Sequence, residues 1–400
     1  MSNQPSLGVA ALLLISFSSV VGSGLFFLPA LVGVASPNNP LLPWLLVALV
    51  CLPFLYVFYT LTMRFPHGQG VISAIEATLG EKAAIFGTVV TLFSTFFGMP
   101  LAALVASDFL VFLITEVEIR LPFAAILLAA AVAQSAFGFN VGTRVQAALI
   151  LFASTVLVVF LFNQRGVIEA TDLQWDQLSL LQGVAASSLV FWAFSGWENL
   201  TFFAHRLKNP AFSLAFAMIG TLVLACVVYG AFSAIAKAAM SDEGSSENLL
   251  EVFQLSSTVV YGISLTFLLG GCAVAVIWAN LSAWVLGLSE MAAARFCIPR
   301  GKVHFVLAGG YAAGLSAVVW LPVSVDSIVR GVSAGFLTVY LLVAIAFFRI
   351  SQRLWAWFAA GIVALVTTYL AVHLEGLILP IIALLLCLLF RWPGRKREES

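Results

Sequence analysis

A glycine-rich interruption in the first long apolar segment could bind a small charged molecule. The segment covers about residues 7–34, and Gly22, Ser23 and Gly24 lie near its middle. Two glycines around a serine weaken a helix and leave backbone N–H and C=O groups without helical partners. In the hydrocarbon of a membrane, such groups are tolerated only where other protein or a cavity meets them. The three residues therefore predict a binding site.

A second interruption lies at Ser195 and Gly196, within the apolar segment 178–203. A single break is explained by a packing kink, whereas two breaks in corresponding places are typical of secondary transporters. Glu198 follows the second break. An ionisable residue within an apolar span is by default a functional candidate, and the other interpretation is a carboxylate that caps the second half-helix. The pair of breaks therefore favours transport.

The backbone groups at the two breaks define the kind of molecule that would bind. The half-helix that begins near Ser23 presents N–H groups and the positive end of its dipole, which favour a carboxylate. The half-helix that ends near Val21 presents carbonyl groups, which favour an ammonium group or a metal cation. The break from Phe194 to Gly196 adds carbonyl groups from the opposite side. An α-amino acid carries a carboxylate and an ammonium group on one carbon and satisfies both sets.

The composition indicates a membrane protein that is built from helices. Of the 400 residues, 62% are hydrophobic and 9% are charged, against about 25% charged residues in soluble domains. The mean hydropathy is +1.09. The 18 basic residues balance the 18 acidic residues, which gives no sign of nucleic-acid binding. The cysteines and histidines are scattered without ligand spacing, so we expect no metal site and no cofactor.

The apolar segments predict twelve transmembrane helices and a short additional helix at Val71–Leu79. If both termini face the cytoplasm, 14 of the 18 Lys and Arg residues lie on that side, which is the bias expected of cytoplasmic loops. The predicted spans cover residues 7–34, 41–63, 84–114, 121–139, 145–163, 178–203, 211–239, 252–289, 303–321, 327–347, 351–372 and 374–391.

The span order predicts an inverted repeat of five helices plus five helices. The second set of five begins on the opposite side of the membrane from the first. The repeats cover about residues 7–163 and 178–347, and helices 11 and 12 follow at about 351–391. We therefore expect residues 1–400 to form a single integral membrane domain.

Two motifs resemble those of a transporter family. The run from Ser19 to Phe26 resembles the glycine-rich first-helix signature of amino acid–polyamine–organocation (APC) transporters, and Phe191 to Glu198 resembles their sixth-helix motif. Lys208-Asn209-Pro210 matches the turn that follows that helix. The resemblance implies an all-α membrane protein with a LeuT-like fold, in which helices 1 and 6 are discontinuous. Within the superfamily, the chain is most similar to bacterial exporters of methionine and branched-chain amino acids.

The resemblance also implies roles for individual residues. The backbone of Gly22, Ser23 and Gly24 would hold the substrate carboxylate, nearby carbonyl groups of both breaks would hold its ammonium group, and Trp192 would close over the substrate. The implied substrate-binding residues are Ser19, Val20, Gly22, Ser23, Gly24, Phe191, Trp192, Phe194, Ser195 and Gly196, and the implied coupling or gating residues are Glu198, Trp197 and Asp108.

Departures from the family pattern bear on the identity of the coupling ion. Both H⁺ and Na⁺ stay open. Arg206 replaces an acid that is usual before the Lys208 turn, so the inner ion pair of relatives is in doubt. Helix five lacks the lysine that replaces a sodium ion in some proton-coupled relatives. Helix eight borders a sodium site in sodium-coupled relatives, so Ser282, near Asn280, could be a ligand. A hydrogen bond from Ser282 to a neighbouring helix is the favoured interpretation.

These observations predict a secondary active transporter, not an enzyme. The expected substrates are neutral, apolar amino acids (methionine, leucine, isoleucine and valine), moved across a bacterial inner membrane by alternating access, with efflux by proton antiport. The alternatives are sodium- or proton-coupled uptake or amino acid exchange on the same fold. A channel or a membrane sensor is the alternative from another class. The expected partners are the amino acid and the lipid bilayer, and the oligomeric state is open.

Overall fold

The structure is a computed structural model that describes residues 7–26, 28–66, 69–114, 117–243, 259–260, 263–322, 324–352, 354–373 and 378–389. Helices account for most of these residues, as expected where lipid leaves the backbone no partners except its own. The α-helices are α1 (Val9–Val20), α2 (Leu28–Ala35), α3 (Leu42–Arg64), α4 (Val71–Leu79), α5 (Glu81–Ile114), α6 (Arg120–Ala136), α7 (Phe139–Asn163), α8 (Arg165–Ala170), α9 (Gln177–Val190), α10 (Trp197–Thr201), α11 (Pro210–Glu243), α12 (Leu265–Phe296), α13 (Arg300–Trp320), α14 (Val325–Ile350), α15 (Leu354–His373) and α16 (Ile378–Leu389).

Short elements complete the described part of the chain. The 3₁₀ helices cover Ser23–Phe26, Val117–Ile119, Phe191–Phe194 and Ala204–Arg206. A pair of two-residue antiparallel strands joins Val259–Val260 to Ile263–Ser264.

Both predicted interruptions are present as breaks between helices. In the first span, α1 ends at Val20 and α2 begins at Leu28. In the sixth span, α9 ends at Val190 and α10 begins at Trp197. The predicted short helix at Val71–Leu79 is also confirmed.

Helical segments lie within each of the twelve predicted spans, although the eighth span was wrong at both ends. Within the predicted span 252–289, Val259–Val260 and Ile263–Ser264 are strands, and α12 runs from Leu265 to Phe296. Residues 252–258 lie outside the described part of the chain. The helix continues beyond Ser289 because Glu290 and Arg295 find ion-pair partners there. Among the described residues, seven helices are each long and apolar enough to cross a membrane. Twelve crossings and the repeat boundaries therefore stay predictions.

The helix α1 lies inside the bundle, where it packs against α11, α12, α7 and α10. The residues of α1 that precede the break are buried, including the polar Ser18 and Ser19. Large apolar side chains such as Leu151 and Phe305 are exposed on the outside of the bundle, which is the arrangement that a lipid environment favours. The first break is therefore enclosed by protein on several sides.

Candidate functional site

A cavity of about 40 Å³ lies where the two interrupted helices meet. Its lining combines residues of both breaks with side chains from α5, α11, α12 and α14. The lining residues are Ser19, Val20, Gly22, Ser23, Gly24, Gly98, Met99, Ala102, Ala193, Ser195, Tyr229, Asn280, Trp284, Val332 and Phe336. The structure thus brings together six of the residues that sequence reasoning assigned to substrate binding.

The two breaks approach each other through their backbones. Gly196 has a φ of +113°, a conformation that glycine adopts far more readily than other residues. A Cβ at this position would lie 2.7 Å from the carbonyl oxygen of Ser19. The backbone N–H of Gly196 donates a hydrogen bond of 3.3 Å to the hydroxyl of Tyr340. Glycine is therefore required here both by conformation and by space.

The first break replaces regular helix by a tight 3₁₀ turn. The N–H of Val21 still donates to the carbonyl of Phe17 at 2.7 Å, and the N–H of Leu25 donates to the carbonyl of Gly22 at 3.2 Å. The first N–H groups of a helix lack partners within that helix, and Gly22, Ser23 and Gly24 line the cavity at this point. Free N–H groups at such a point favour an anionic group, and the role of these residues in binding a carboxylate stays a prediction.

Tyr229 adds a polar side chain that sequence reasoning missed. Its hydroxyl is buried and has no hydrogen-bond partner among the described residues. A Cβ on Gly24 would lie 3.4 Å from this hydroxyl, so the phenol lies beside the 3₁₀ turn. The ring stacks on Trp44 at 4.4 Å and 7°, and the indole N–H of Trp44 donates to Ser233 at 2.8 Å. Tyr229 is thus held in a fixed position at the cavity.

Five apolar side chains also line the cavity. Met99 and Ala102 of α5, Val332 of α14 and the ring pair Trp284–Phe336, with centroids 5.2 Å apart, line it. None of the described residues that line the cavity carries a charge. These side chains suit an apolar group, and the described lining offers no opposite charge to a charged one.

Glu198 lies behind the second break and not in the cavity lining. It is fully buried, and its Oε2 accepts a hydrogen bond of 2.6 Å from the hydroxyl of Tyr340. Its Oε1 has no hydrogen-bond partner among the described residues. Tyr340 itself packs against Phe54 and Phe58, with ring centroids 5.6 and 5.0 Å apart. Tyr340, which sequence reasoning missed, thus links the Glu198 carboxyl to the backbone of Gly196.

The remaining predicted substrate-binding residues lie around the cavity. Phe191 packs on Phe54 at 5.8 Å, and Phe194 lies 6.2 Å from the ring of Tyr229. Both are buried but do not line the cavity, whereas Ala193 and Ser195 of the same segment do. The side chain of Trp192 lies outside the described part of the structure.

The other predicted gating residues also lie away from the cavity. Trp197 is fully buried outside the lining. Asp108 forms an ion pair with Arg120 near the end of α5, so its gating role stays a prediction. Ser282 donates a hydrogen bond of 3.0 Å to Gln134 of α6, which confirms the favoured interpretation of that residue. Within the described ranges, no cluster of three or more His, Cys, Asp or Glu side chains could hold a metal ion.

A charge cluster joins the segment after α10 to the ends of α12 and α13. Glu290, whose side chain is 6% exposed, forms ion pairs with Arg206 at 2.9 Å and with Arg300 at 2.7 Å. His205 lies 3.4 Å from the same carboxylate. Arg206, which stands where relatives carry an acid, therefore pairs with an acid on another helix. The cluster lies at the end of the bundle that is predicted to face the cytoplasm.

A cavity between two interrupted helices, within a bundle of apolar helices, defines the class of secondary transporters with broken helices. The chain matches a family model described as amino acid permease over residues 7–296, and it therefore belongs to the amino acid permease family. This membership confirms the resemblance to APC transporters and makes the chain a multi-pass membrane transporter rather than an enzyme.

The chain is also similar to individual transporters. It is 24% identical over 255 residues to the L-methionine/branched-chain amino acid exporter YjeH of Escherichia coli (strain K12). That match covers 56% of this chain and 54% of the exporter, so it spans about half the length of the relative. The crystal structure of MhsT in complex with L-phenylalanine superimposes with a TM-score of 0.64 at 15% identity, over 94% of this chain and 97% of MhsT. This likeness confirms the LeuT-like fold.

Proposed function

We propose that this protein carries neutral, apolar α-amino acids across a bacterial inner membrane by alternating access, and that it exports them in exchange for protons. The observation that carries this proposal is the cavity between the breaks. Its lining combines backbone groups of the breaks and the Tyr229 hydroxyl with apolar side chains. None of its described lining residues is charged.

The polar groups that line the cavity would hold the main-chain groups of the substrate. The N–H groups of the Gly22–Gly24 turn and the hydroxyl of Tyr229 would donate hydrogen bonds to the carboxylate. Carbonyl groups near Val20 and between Phe191 and Phe194 would accept hydrogen bonds from the ammonium group. An α-amino acid carries both groups on one carbon and would satisfy both sets.

The apolar side chains that line the cavity would select the side chain of the substrate. Met99, Val332 and the Trp284–Phe336 pair favour methionine, leucine, isoleucine or valine. A charged side chain such as that of arginine or lysine would lose its hydration without an opposite charge to replace it, which is costly in an apolar site. The site therefore disfavours basic amino acids and polyamines.

Two further features support export by proton antiport. The exporter YjeH, with which the chain shares 24% identity over 255 residues, is by its name an exporter of methionine and branched-chain amino acids. The buried Glu198 is a carboxyl group that could bind and release a proton, and Tyr340 connects it to the backbone of Gly196 at the second break. Protonation of Glu198 would thus change a hydrogen bond beside the substrate site.

Counterflow of labelled L-methionine in proteoliposomes tests the proposal. Unlabelled leucine, isoleucine and valine should compete, whereas arginine, lysine and glutamate should not. Saturable, voltage-insensitive counterflow would exclude a channel. A pH gradient, alkaline on the side from which the substrate leaves, should speed net efflux, because the exchanged protons then move down their gradient. Strong competition by arginine would contradict the proposed substrate class.

Gly24→Val tests the position of the site in the same assay. A Cβ on Gly24 would lie 3.0 Å from Leu28 and 3.4 Å from the Tyr229 hydroxyl, so a valine side chain would crowd the 3₁₀ turn. Gly309→Val, at a position where a Cβ meets no atom within 4 Å, serves as the matched control. Counterflow should be lost in Gly24→Val and kept in Gly309→Val, with both proteins inserted. Retained counterflow in Gly24→Val would refute the assigned site.

A further inference from the structure

Three side-chain amides from three different helices converge on the end of α1 that precedes the first break. Asn280 of α12 donates through Nδ2 to the carbonyl of Ser18 at 2.6 Å and to the carbonyl of Ser19 at 3.2 Å. Gln146 of α7 donates to the hydroxyl of Ser18 at 2.5 Å. Asn199 of α10 donates to the hydroxyl of Ser19 at 2.8 Å. Four oxygen atoms at the end of α1 therefore face N–H donors.

The chemistry of the partners fixes the direction of these hydrogen bonds. A backbone carbonyl can only accept, so the group of Asn280 that faces the carbonyls of Ser18 and Ser19 is its NH₂. Each serine hydroxyl has one proton and donates it within its own helix, to Leu14 at 2.9 Å from Ser18 and to Ile15 at 2.7 Å from Ser19. Each hydroxyl is therefore an acceptor toward Gln146 or Asn199.

Gly22 leaves the space that Asn280 needs. A Cβ at position 22 would lie 2.7 Å from both Cγ and Nδ2 of Asn280. The side chain of Asn280 is well buried, and the residue also lines the cavity. Gly22 is thus needed for the turn itself and also for the close approach of the Asn280 amide of α12.

Carbonyl groups at the end of an interrupted helix are the groups that coordinate a coupling cation in transporters with broken helices. A hard cation there needs several oxygen ligands and would be repelled by the positively polarised hydrogens of an amide. We infer that the Asn280 amide takes the place of a coupling cation in this protein, so that binding and transport proceed without Na⁺. The transport part of this inference rests on the proposed function. The statement that the Asn280 amide replaces a bound cation rests on the hydrogen-bond geometry alone.

Asn280→Asp is the sharpest test, because it replaces the NH₂ group by a carboxylate oxygen without a change in size. The carbonyls of Ser18 and Ser19 and the new carboxylate would then form a cluster of oxygen atoms that a small cation stabilises. At alkaline pH, counterflow of this variant should be about tenfold faster in NaCl or LiCl than in choline chloride, within the range of typical coupling effects. The unmodified protein and the control Asn163→Asp should show equal counterflow in the three salts.

Thermal stability in detergent gives a second readout that does not need transport. Na⁺ should raise the melting temperature of Asn280→Asp relative to choline and leave that of the unmodified protein unchanged. A Na⁺-dependent rise in the melting temperature or counterflow of the unmodified protein would overturn the inference, even if Asn280→Asp fails to fold. An Asn280→Asp variant that folds and shows no response to cations in either readout would also overturn it. Absence of amino acid counterflow in every salt would instead refute the proposed function.

Discussion

Gly196 lies against the carbonyl oxygen of Ser19, at a distance that leaves no room for a Cβ atom between the two backbones. Ser19 lies in the last turn of α1, and Gly196 directly precedes α10. The two interruptions of the chain are therefore in direct contact, and the cavity lies beside this contact. A movement of either half-helix would change the position of the other, which links the proposed substrate site to both interrupted helices.

Gly196→Ala should strongly reduce transport. The φ of +113° is strained for alanine, at a cost of about 1–3 kcal/mol, and the added Cβ would push the Ser19 carbonyl away from its position at 2.7 Å. Counterflow of labelled methionine should fall by about tenfold or more. Gly309→Ala is the control and should transport normally. Normal transport by Gly196→Ala would show that the contact between the breaks is dispensable.

Gly98→Ala should narrow the range of side chains that the protein accepts. Gly98 of α5 lines the cavity, and a Cβ there would lie 3.1 Å from Val332. One methyl group changes discrimination in an apolar pocket by about 1–3 kcal/mol. Competition by alanine and by methionine should be compared in the counterflow assay. We expect methionine to lose affinity relative to alanine, and an unchanged ratio would place the side chain of the substrate elsewhere.

Glu198→Gln should remove the pH dependence of transport. The glutamine keeps the shape of the buried side chain and can still accept a hydrogen bond from Tyr340, but it cannot release a proton. Counterflow should continue, whereas efflux should no longer respond to a pH gradient. Glu169→Gln, at an exposed position of α8, is the control for loss of one carboxyl. An unchanged pH dependence in Glu198→Gln would remove Glu198 from the proton route.

Glu290→Gln should destabilise the end of the bundle that is predicted to face the cytoplasm. It would leave Arg206 and Arg300 without their carboxylate partner, and loss of one partner of a buried charged hydrogen bond costs about 1–3 kcal/mol. The melting temperature in detergent should fall in Glu290→Gln and stay the same in the exposed control Glu169→Gln. An unchanged melting temperature in Glu290→Gln would show that the ion pairs of Glu290 contribute nothing to the stability of the protein.

The sequence predicts the two breaks because their signal is local. Glycines beside Ser23 and Ser195 interrupt apolar segments, and no distant residue is needed to see this. The start of the eighth helix, by contrast, was set too early. The predicted span joins the apolar residues before Ser256 to those of α12 across Ser256, Ser257, Thr258 and Gly262, which are residue types that favour turns. The ion pairs at its other end involve Arg206, far away in the chain.

The polar side chains that complete the site could not be predicted in the same way. Tyr229 and Tyr340 stand in apolar helices without a motif around them, and their partners, Gly24 and Glu198, belong to other helices. The sequence shows Asn280 only as a polar residue of the eighth predicted span (α12), because its partner Ser18 precedes it by 262 residues. Only the packing of the helices brings these groups together.

The central claim is that the two breaks recognise the main-chain groups of an α-amino acid. The most direct test is competition against labelled L-methionine counterflow by L-methionine, its methyl ester and its N-acetyl derivative. These compounds share one side chain, and the derivatives lack either the carboxylate or the ammonium group. Unmodified L-methionine should compete, and both derivatives should fail. Competition by either derivative at the concentration at which L-methionine competes would contradict the claim.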